Sequence, residues 1–535
     1  MNSKQLTIRS MVIGVIGSVV ITCSSMYVAL KLSSLPWPIM FVALFSMLAL
    51  KALGNTNLNE INVAHTAMSA GAMVAGGLAF TIPGIWILNP EAEISTMQLL
   101  VIALGGVVLG LIFTALIRKY FVETKELPYA MGQAAAETLQ VGDEGGKKAG
   151  TLFASMGIAA VFTVIRDWFG KIPATLMSQK MLSFGSAGGI WLSPMLVSIG
   201  YIVGPIAIGV WFLGALVGDL GILIGGQSLG IWSLEEAGGV KQALGIGLMV
   251  GTGVGILVKG ILPKAKEIFG GMFSKDSAGD SIVPMRWAPF MMILLAAVFT
   301  LVCKMSVIAS IITILGVWLA TAMSAQCVGQ SGINPMEIFG IIVLLAAKTL
   351  TAVGQTEGFF IAAIVAVACG LVGDVMNDFK EGHMLKTNAK DQWIAEAIGG
   401  VIGVVVSVFV LVTIVKAYGP SAFTDGQMFT AAQANTVAAM VGGISNMPAF
   451  VAGLVIAVAL YCVNFPVMTL GLGVYLPFYM SATAFIGGAL RFTIDKWFPA
   501  VEKNATGQII ASGLLGGEAV VGVVIALITA VQALQ

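Results

Sequence analysis

Charge is scarce in this chain. Asp, Glu, Lys and Arg make up 10% of its 535 residues, where soluble globular domains carry roughly 25%. A deficit of that size along the whole length excludes a soluble fold. The formal net charge of +1 gives no basic excess of the kind that draws a protein to nucleic acid. The two histidines, His65 and His383, lie far apart, and no C-x-x-C or H-x-x-x-H occurs. That excludes the usual spacings of a metal site, so neither metal nor cofactor is expected. Cys23, Cys303, Cys327, Cys369 and Cys462 are scattered and read as packing residues rather than a disulfide framework.

What remains is apolar. Hydrophobic residues account for 58% of the chain, in runs near 10–30, 36–53, 61–82, 97–117, 149–166, 187–203, 206–226 and 240–258. After a polar stretch, runs resume near 287–303, 306–325, 336–353, 358–376, 394–416, 445–464, 467–490 and 507–531. Spanning a bilayer takes about 20 apolar residues, so the expectation is an all-α integral membrane protein of about sixteen spans. The first run has no small-residue cleavage site after it and reads as a first span, not a leader. The 187–226 region is either one long helix or two broken at Pro205. With 66 Gly, close packing and further broken or re-entrant helices are expected.

The domain reading is an N-terminal transmembrane half (1–258), a cytoplasmic linker (259–286) and a C-terminal half (287–535). Basic loops at Lys4 and Arg9, Arg118 and Lys119, Lys147 and Lys148, and Lys380 to Lys390 place the N-terminus in the cytoplasm. Arg166, Lys171 and Lys180 fit that topology badly. The halves share weak motifs. Asn57 and Glu60 match Asn334 and Glu337 in N-x-x-E-I, and Gln133 and Glu137 match Gln392 and Glu396 in Q-x-x-x-E. Placing Met195 on Met468 brings Gly200 onto Gly473, Phe212 onto Phe485 and Gly214 onto Gly487. With eight spans each, the two repeated halves would run parallel. Internal repeats with polar residues at corresponding places mark secondary transporters.

Charged groups inside a bilayer cost about 2.5–3.5 kcal/mol each on insertion scales, so they need a reason to be there. Asn57/Glu60 and Asn334/Glu337 are either helix caps with acidic first turns or substrate contacts. Gln133 and Glu137 lie on a segment too short and polar to span, either a re-entrant or a cytoplasmic surface helix, and Gln392 and Glu396 repeat the spacing beside a basic loop. Lys348 is a lone cation in an apolar run. Glu518 has no charged residue within fourteen positions and is expected to face a central cavity and carry a coupling proton; the rival reading is that it merely bonds a neighbouring helix, in which case the coupling role passes to Glu60 or Glu337. His65 reads as a satisfied core residue.

One block stands out, "CGLVGDVMNDFKEGHMLK" from Cys369 to Lys386. Asp374 and Asp378 share a helical face, and Gly370 and Gly373 precede them. The spacing is one residue too long for the G-x-G-D of an intramembrane aspartyl protease. By pattern it is a helix end on the cytoplasmic side, with Lys380 and His383 wetted.

The block also resembles a loop of the oligopeptide transporter (OPT) family, G-D-x-x-x-D-x-K-x-G-x-x-L, through Gly373, Asp374, Asp378, Lys380, Gly382 and Leu385. The small-residue and Pro turn that follows in the family is replaced here by "KTNAKDQ". Four more segments agree in family order: "NLNEINVAHTAMSAGAMVAGG", with His65 where Gln is common, "ELPYAMGQAAAETLQVG", "GVYLPFYMSATAFIGGALRF" and "IASGLLGGEA". The resemblance implies a multi-pass protein of the cell inner (plasma) membrane that imports oligopeptides, or metal–chelate complexes, with protons. A peptide is zwitterionic, so both charges and amide partners are needed, and Tyr475 beside Pro477 sits at a helix break that can supply a cavity wall. The implied partners are the substrate, protons and lipid, with a homodimer left open.

Overall fold

The computed structural model describes residues 5–533 apart from 33–34, 36–38, 145, 256–257, 260–262, 264–281, 283–284, 424–428, 430, 442–443, 500 and 502–505. Most of the expected linker 259–286 thus lies outside the described residues. The rest is almost wholly helical. Eight of the described helices are long and apolar enough to cross a membrane, and four shorter apolar ones accompany them. This is an all-α membrane protein.

The helices follow the apolar runs, with two informative exceptions. The run at 187–226 breaks at Gly204, whose φ of 95° only glycine adopts without strain, directly before Pro205. The run at 467–490 breaks at Leu476 and Pro477, dividing Val467–Tyr475 from Phe478–Trp497. A small antiparallel ribbon, Thr175–Met177 against Gly189–Trp191, was not foreseen. Thr483 Oγ1 holds it by bonding both the N–H and the carbonyl of Trp191.

Element lengths repeat along the chain. Ile8–Leu32 (25 residues) and Ile39–Leu53 (15) precede Leu58–Leu88 (31) and Thr96–Thr124 (29). Val307–Ser331 (25) and Met336–Leu350 (15) precede Gln355–Leu385 (31) and Ala389–Tyr418 (30). Contacts repeat reciprocally, as a two-fold axis requires. Tyr129 N–H donates to the Gly329 carbonyl, and Ala431 N–H donates to the Leu30 carbonyl. Tyr129 and Ala431 are both non-glycine residues with positive φ, 45° and 38°. Gly200 lies against Ala484 and Gly473 against Trp211, while Gly214 meets Leu470 and Gly487 meets Val197. Phe212 stacks on Phe485 with centroids 4.3 Å apart. The glycine and Phe212–Phe485 contacts map onto their partners at the constant offset of 273 that joins Gly200 to Gly473, and Tyr129–Gly329 maps onto Ala431–Leu30 at offsets of 302 and 299.

The halves are inverted, not parallel. Along Leu58–Leu88 the successive contacts Asn62–Thr387, His65–Glu381, Ser69–Asp378, Gly77–Val367 and Gly84–Phe359 climb one helix while descending the other. Trp393 bonding the Leu111 carbonyl and Gly400 packing on Val107 show the same antiparallel sense for the next pair. The physical reason is an additional helix, Ala288–Val302. Its first turn lies beside Trp393, and Cys303 beyond its end reaches the Gln98 carbonyl, so it carries the chain to the opposite face before the second series begins. The shared motifs fall on non-corresponding elements. Asn57 leads the third element of its series and Asn334 the second, while Gln133 lies on the fifth and Gln392 on the fourth.

Candidate functional site

The two 31-residue helices cross at the centre of the molecule, and between them sits a cluster of buried ionisable groups. Gln355–Leu385 contributes Asp374, Asp378 and Glu381. Leu58–Ala79 contributes His65, and Ala389–Tyr418 contributes Glu396. All five are fully buried. His65 Nδ1 lies 3.2 Å from Glu381, and Nε2 lies 3.6 Å from Asp378 Oδ1. Ser69 Oγ donates to Asp378 Oδ2 at 3.2 Å. Gln392 Nε2 donates to the Asp378 carbonyl at 2.7 Å and to Thr66 Oγ1 at 3.4 Å. The helix Ala130–Glu144 points its first turn at the same region, where Gly132 N–H donates to Asn377 Oδ1 at 3.0 Å.

Asp374 and Asp378 are therefore not at a helix end. The helix runs on to Leu385 and stops at Lys386 in the left-handed conformation. At 1.5 Å per residue, Asp378 lies about 10 Å and Asp374 about 16 Å inside that end. Only the far end of the block is wetted: His383 is exposed and Lys380 half-buried. The glycines expected to loosen the helix instead admit neighbours, Gly373 facing the Asn334 amide and Gly370 facing Met336.

The other expected residues divide by their partners. Glu518 is isolated in sequence but not in space. It accepts from Arg166 Nη2 at 2.8 Å, from Ser193 Oγ at 2.9 and 3.0 Å and from Met195 N–H at 2.7 Å. Arg166, 5% exposed, is thus a buried ion-pair partner rather than a loop charge, which removes one misfit from the topology. Glu60 pairs with Arg9 at 2.6 Å and accepts from Thr7 and Thr56, while Asn57 caps its helix by accepting from Glu60 N–H. Lys348 lies in the last turn of Met336–Leu350 and donates to the Val441 carbonyl.

Asn334 bonds Ser324 and the Cys369 carbonyl. Glu337, in the first turn of the same helix and 6% exposed, has no ion pair among the described residues and lies within electrostatic reach of Tyr475. Met336, next to it, packs against Gly76 and Gly370 near the middles of the two long helices. The helix Met336–Leu350 therefore begins at mid-depth. Gln133 Nε2 donates to Glu137 at 3.4 Å, and Ser512 donates to the other Glu137 oxygen at 2.7 Å.

Glu381, His65, Arg166 and Lys125 were missed or underrated. Glu381 falls seven residues after Asp374, on the same face as Asp378 and Asp374 by helical periodicity, so spacing alone carried that signal. Lys125, just past the span Thr96–Thr124, donates to Gln326 at 3.3 Å and Tyr461 at 3.1 Å beneath the Tyr120 ring. Burial first, then the positive charge of Lys259, push its pKa down to about 8.

The family model of the OPT oligopeptide transporter protein matches residues 5–529. A curated protein of Haemophilus influenzae, named "Putative oligopeptide transporter", is 23% identical to this chain. That alignment covers 94% of this chain and 92% of the relative.

Proposed function

This chain belongs to the OPT oligopeptide transporter family, and from that membership we propose that it imports oligopeptides across the cell's plasma membrane by proton-coupled symport, with Glu337 carrying the coupling proton. One observation supports the assignment to Glu337 above the rest. Of the carboxylates Glu518, Glu60 and Glu337, Glu518 is neutralised by Arg166 and Glu60 by Arg9. Glu337 alone of the three has no cationic partner among the described residues.

The architecture favours a carrier. Inverted repeats with helices that end at mid-depth are the arrangement in which one bundle rocks against another around a central site. Glu337 opens such a helix. Tyr475 stands at the break before Pro477, against Gly245, so both residues lie where independently moving elements meet. A proton on Glu337 cancels a charge that would otherwise be carried through the apolar layer. That links reorientation to proton loading.

Uptake into proteoliposomes decides this. Radiolabelled tripeptide should accumulate when the outside is acidified, and an iron chelate in a parallel arm should not. Glu337→Gln should still exchange tripeptide across the membrane yet fail to concentrate it. Accumulation by Glu337→Gln at the unaltered rate would refute the assignment. Preference for the iron chelate would make the cargo a metal complex instead.

A further inference from the structure

The buried cluster is not explained by transport of a peptide and one proton on Glu337. Four fully buried carboxylates, Asp374, Asp378, Glu381 and Glu396, cluster with one fully buried imidazole. Their single ion-pair partner among the described residues is His65. Several of their atoms have no hydrogen-bond partner among the described residues: both oxygens of Asp374, both of Glu396, Asp378 Oδ1, Glu381 Oε2 and His65 Nε2. A buried, unpaired ion carries a penalty of several kcal/mol even after relaxation, so the cluster must be neutralised, either by protons or by bound cations.

We propose that the cluster is a buried divalent-cation site with two positions bridged by Asp378. One position is His65, Asp378 and Glu381, and the other is Asp374, Asp378 and Glu396. In each triad, one donor atom per residue lies within 4.8 Å of the other two. Donors about 2.0–2.6 Å from a common ion stand at such separations. The donors are carboxylate oxygens and one imidazole, with no thiolate. That selects first-row divalent ions of the Mn²⁺, Fe²⁺ and Zn²⁺ class over soft ions such as Cu⁺. Charge agrees: four carboxylates with a neutral imidazole are balanced by two divalent ions.

The surroundings provide a second shell. Ser69 donates to Asp378 and Gln392 holds the Asp378 carbonyl, which orients the bridging residue as outer-shell partners do elsewhere. The site draws on three helices from both halves, so an ion there would clasp the crossing at the centre of the fold. This inference is independent of Glu337, which lies on another helix and shares no ligand with the cluster.

The test uses full-length protein purified in detergent with a tag free of histidine, stripped with a chelator and dialysed. Mn²⁺ is added, and the loss of the free Mn²⁺ electron paramagnetic signal counts bound ions. Two bound Mn²⁺ per chain are expected, with competition by Zn²⁺ and a rise in thermal unfolding temperature on loading. Asp378→Asn removes the shared ligand and should weaken binding at both positions by more than about 100-fold, beyond the roughly 10–100-fold that loss of an outer-shell partner typically costs. His65→Ala should weaken only one. Size-exclusion profiles check that both variants fold. The unfolding temperature of the native chain with and without Mn²⁺ requires no variant. If stripped native protein takes up no Mn²⁺ or Zn²⁺ and its unfolding temperature is indifferent to both, protons neutralise the cluster and the proposal fails. Binding that survives Asp378→Asn unchanged overturns it equally.

Discussion

Removing the Glu518 carboxylate should cost stability and leave coupling intact. In Glu518→Ala, Arg166 keeps Asp167, which it contacts at 2.6 and 2.7 Å, but loses its other carboxylate partner among the described residues. The helix Pro194–Val203 loses the acceptor of its Met195 N–H. Arg166 and Glu518 are each 5% exposed, so solvent does not replace what is lost. Breaking such a pair from one side typically costs about 3–5 kcal/mol. With Asp167 still bound, the low end, about 3 kcal/mol, is the expectation. Glu518→Gln keeps a carbonyl acceptor and should cost about 1.5–3 kcal/mol, the range of hydrogen bonds to charged groups. Replacing Arg166 and Glu518 together by Met should recover much of the loss, because no buried charge is left unpaired and Asp167, which loses Arg166, is exposed to solvent. Unfolding by SDS titration in mixed micelles reads all four proteins, and proteoliposome uptake of tripeptide reads coupling. A Glu518→Ala protein within about 0.5 kcal/mol of the native one would refute the ion-pair reading. A Glu518→Gln protein of native stability that no longer concentrates tripeptide would return the coupling role to Glu518.

Other outcomes follow from packing, charge and topology. A Cβ at Gly473 would overlap the Trp211 carbonyl oxygen, so Gly473→Ala should destabilise by about 1–3 kcal/mol through overpacking. Gly157, with nothing within 4 Å of an added Cβ, should gain about 0.5–1 kcal/mol as Ala; the same SDS titration compares them. Lys125, identified among ¹³C-methylated lysines by its loss in Lys125→Arg, should titrate near pH 8. Since the unfolded chain binds more protons than the folded one between about 8 and the ordinary 10.5, this group's contribution to stability rises with pH across that window. An uptake-competent protein with exposed Cys462 replaced should label at His383→Cys from the cytoplasm and at Ala352→Cys from outside. Labelling of both from one side would end the inverted topology.

Much of the fold was legible because hydrophobic runs report burial directly. Every expected run holds a helix, but those at 187–203, 240–258, 306–325, 358–376 and 467–490 have an end six to nine residues from the expected bound; the breaks at Pro205 and Pro477 follow from backbone chemistry alone. The inversion was not legible. Ala288–Val302 reads as one more span, and nothing local in it says that it reverses the second half. The motif pairs misled because an Asn or Gln placed three or four residues before a Glu is a common helical pairing, whatever its place in the fold. Glu518 misled for a related reason. Its partner Arg166 is 352 positions away, and an ion pair that distant leaves no trace in local spacing. The same holds for His65, which looked like a lone core histidine until Gln355–Leu385 packed against its helix and brought Glu381 to it.

The symmetry of the backbone makes the asymmetry of its chemistry meaningful. Gln355 corresponds to Leu58, an offset of 297, so the positions matching Asp374, Asp378 and Glu381 are Gly77, Thr81 and Gly84, and His65 matches Ala362. Ala389 corresponds to Thr96, an offset of 293, which matches Glu396 to Ala103. None of these counterparts is ionisable. A two-fold device thus carries its charged cluster on one side only, in the half that ends at Lys386 and the N-terminal helix. Had the carboxylates served only to stabilise the helix crossing, the inverted half would need an equivalent, since its helices cross in the same way. It manages with Gly, Ala and a Thr whose hydroxyl bonds the Gly77 carbonyl. The crossing therefore does not require charge, which is what the proposed cation site expects of a cluster that binds an ion rather than holding the scaffold together.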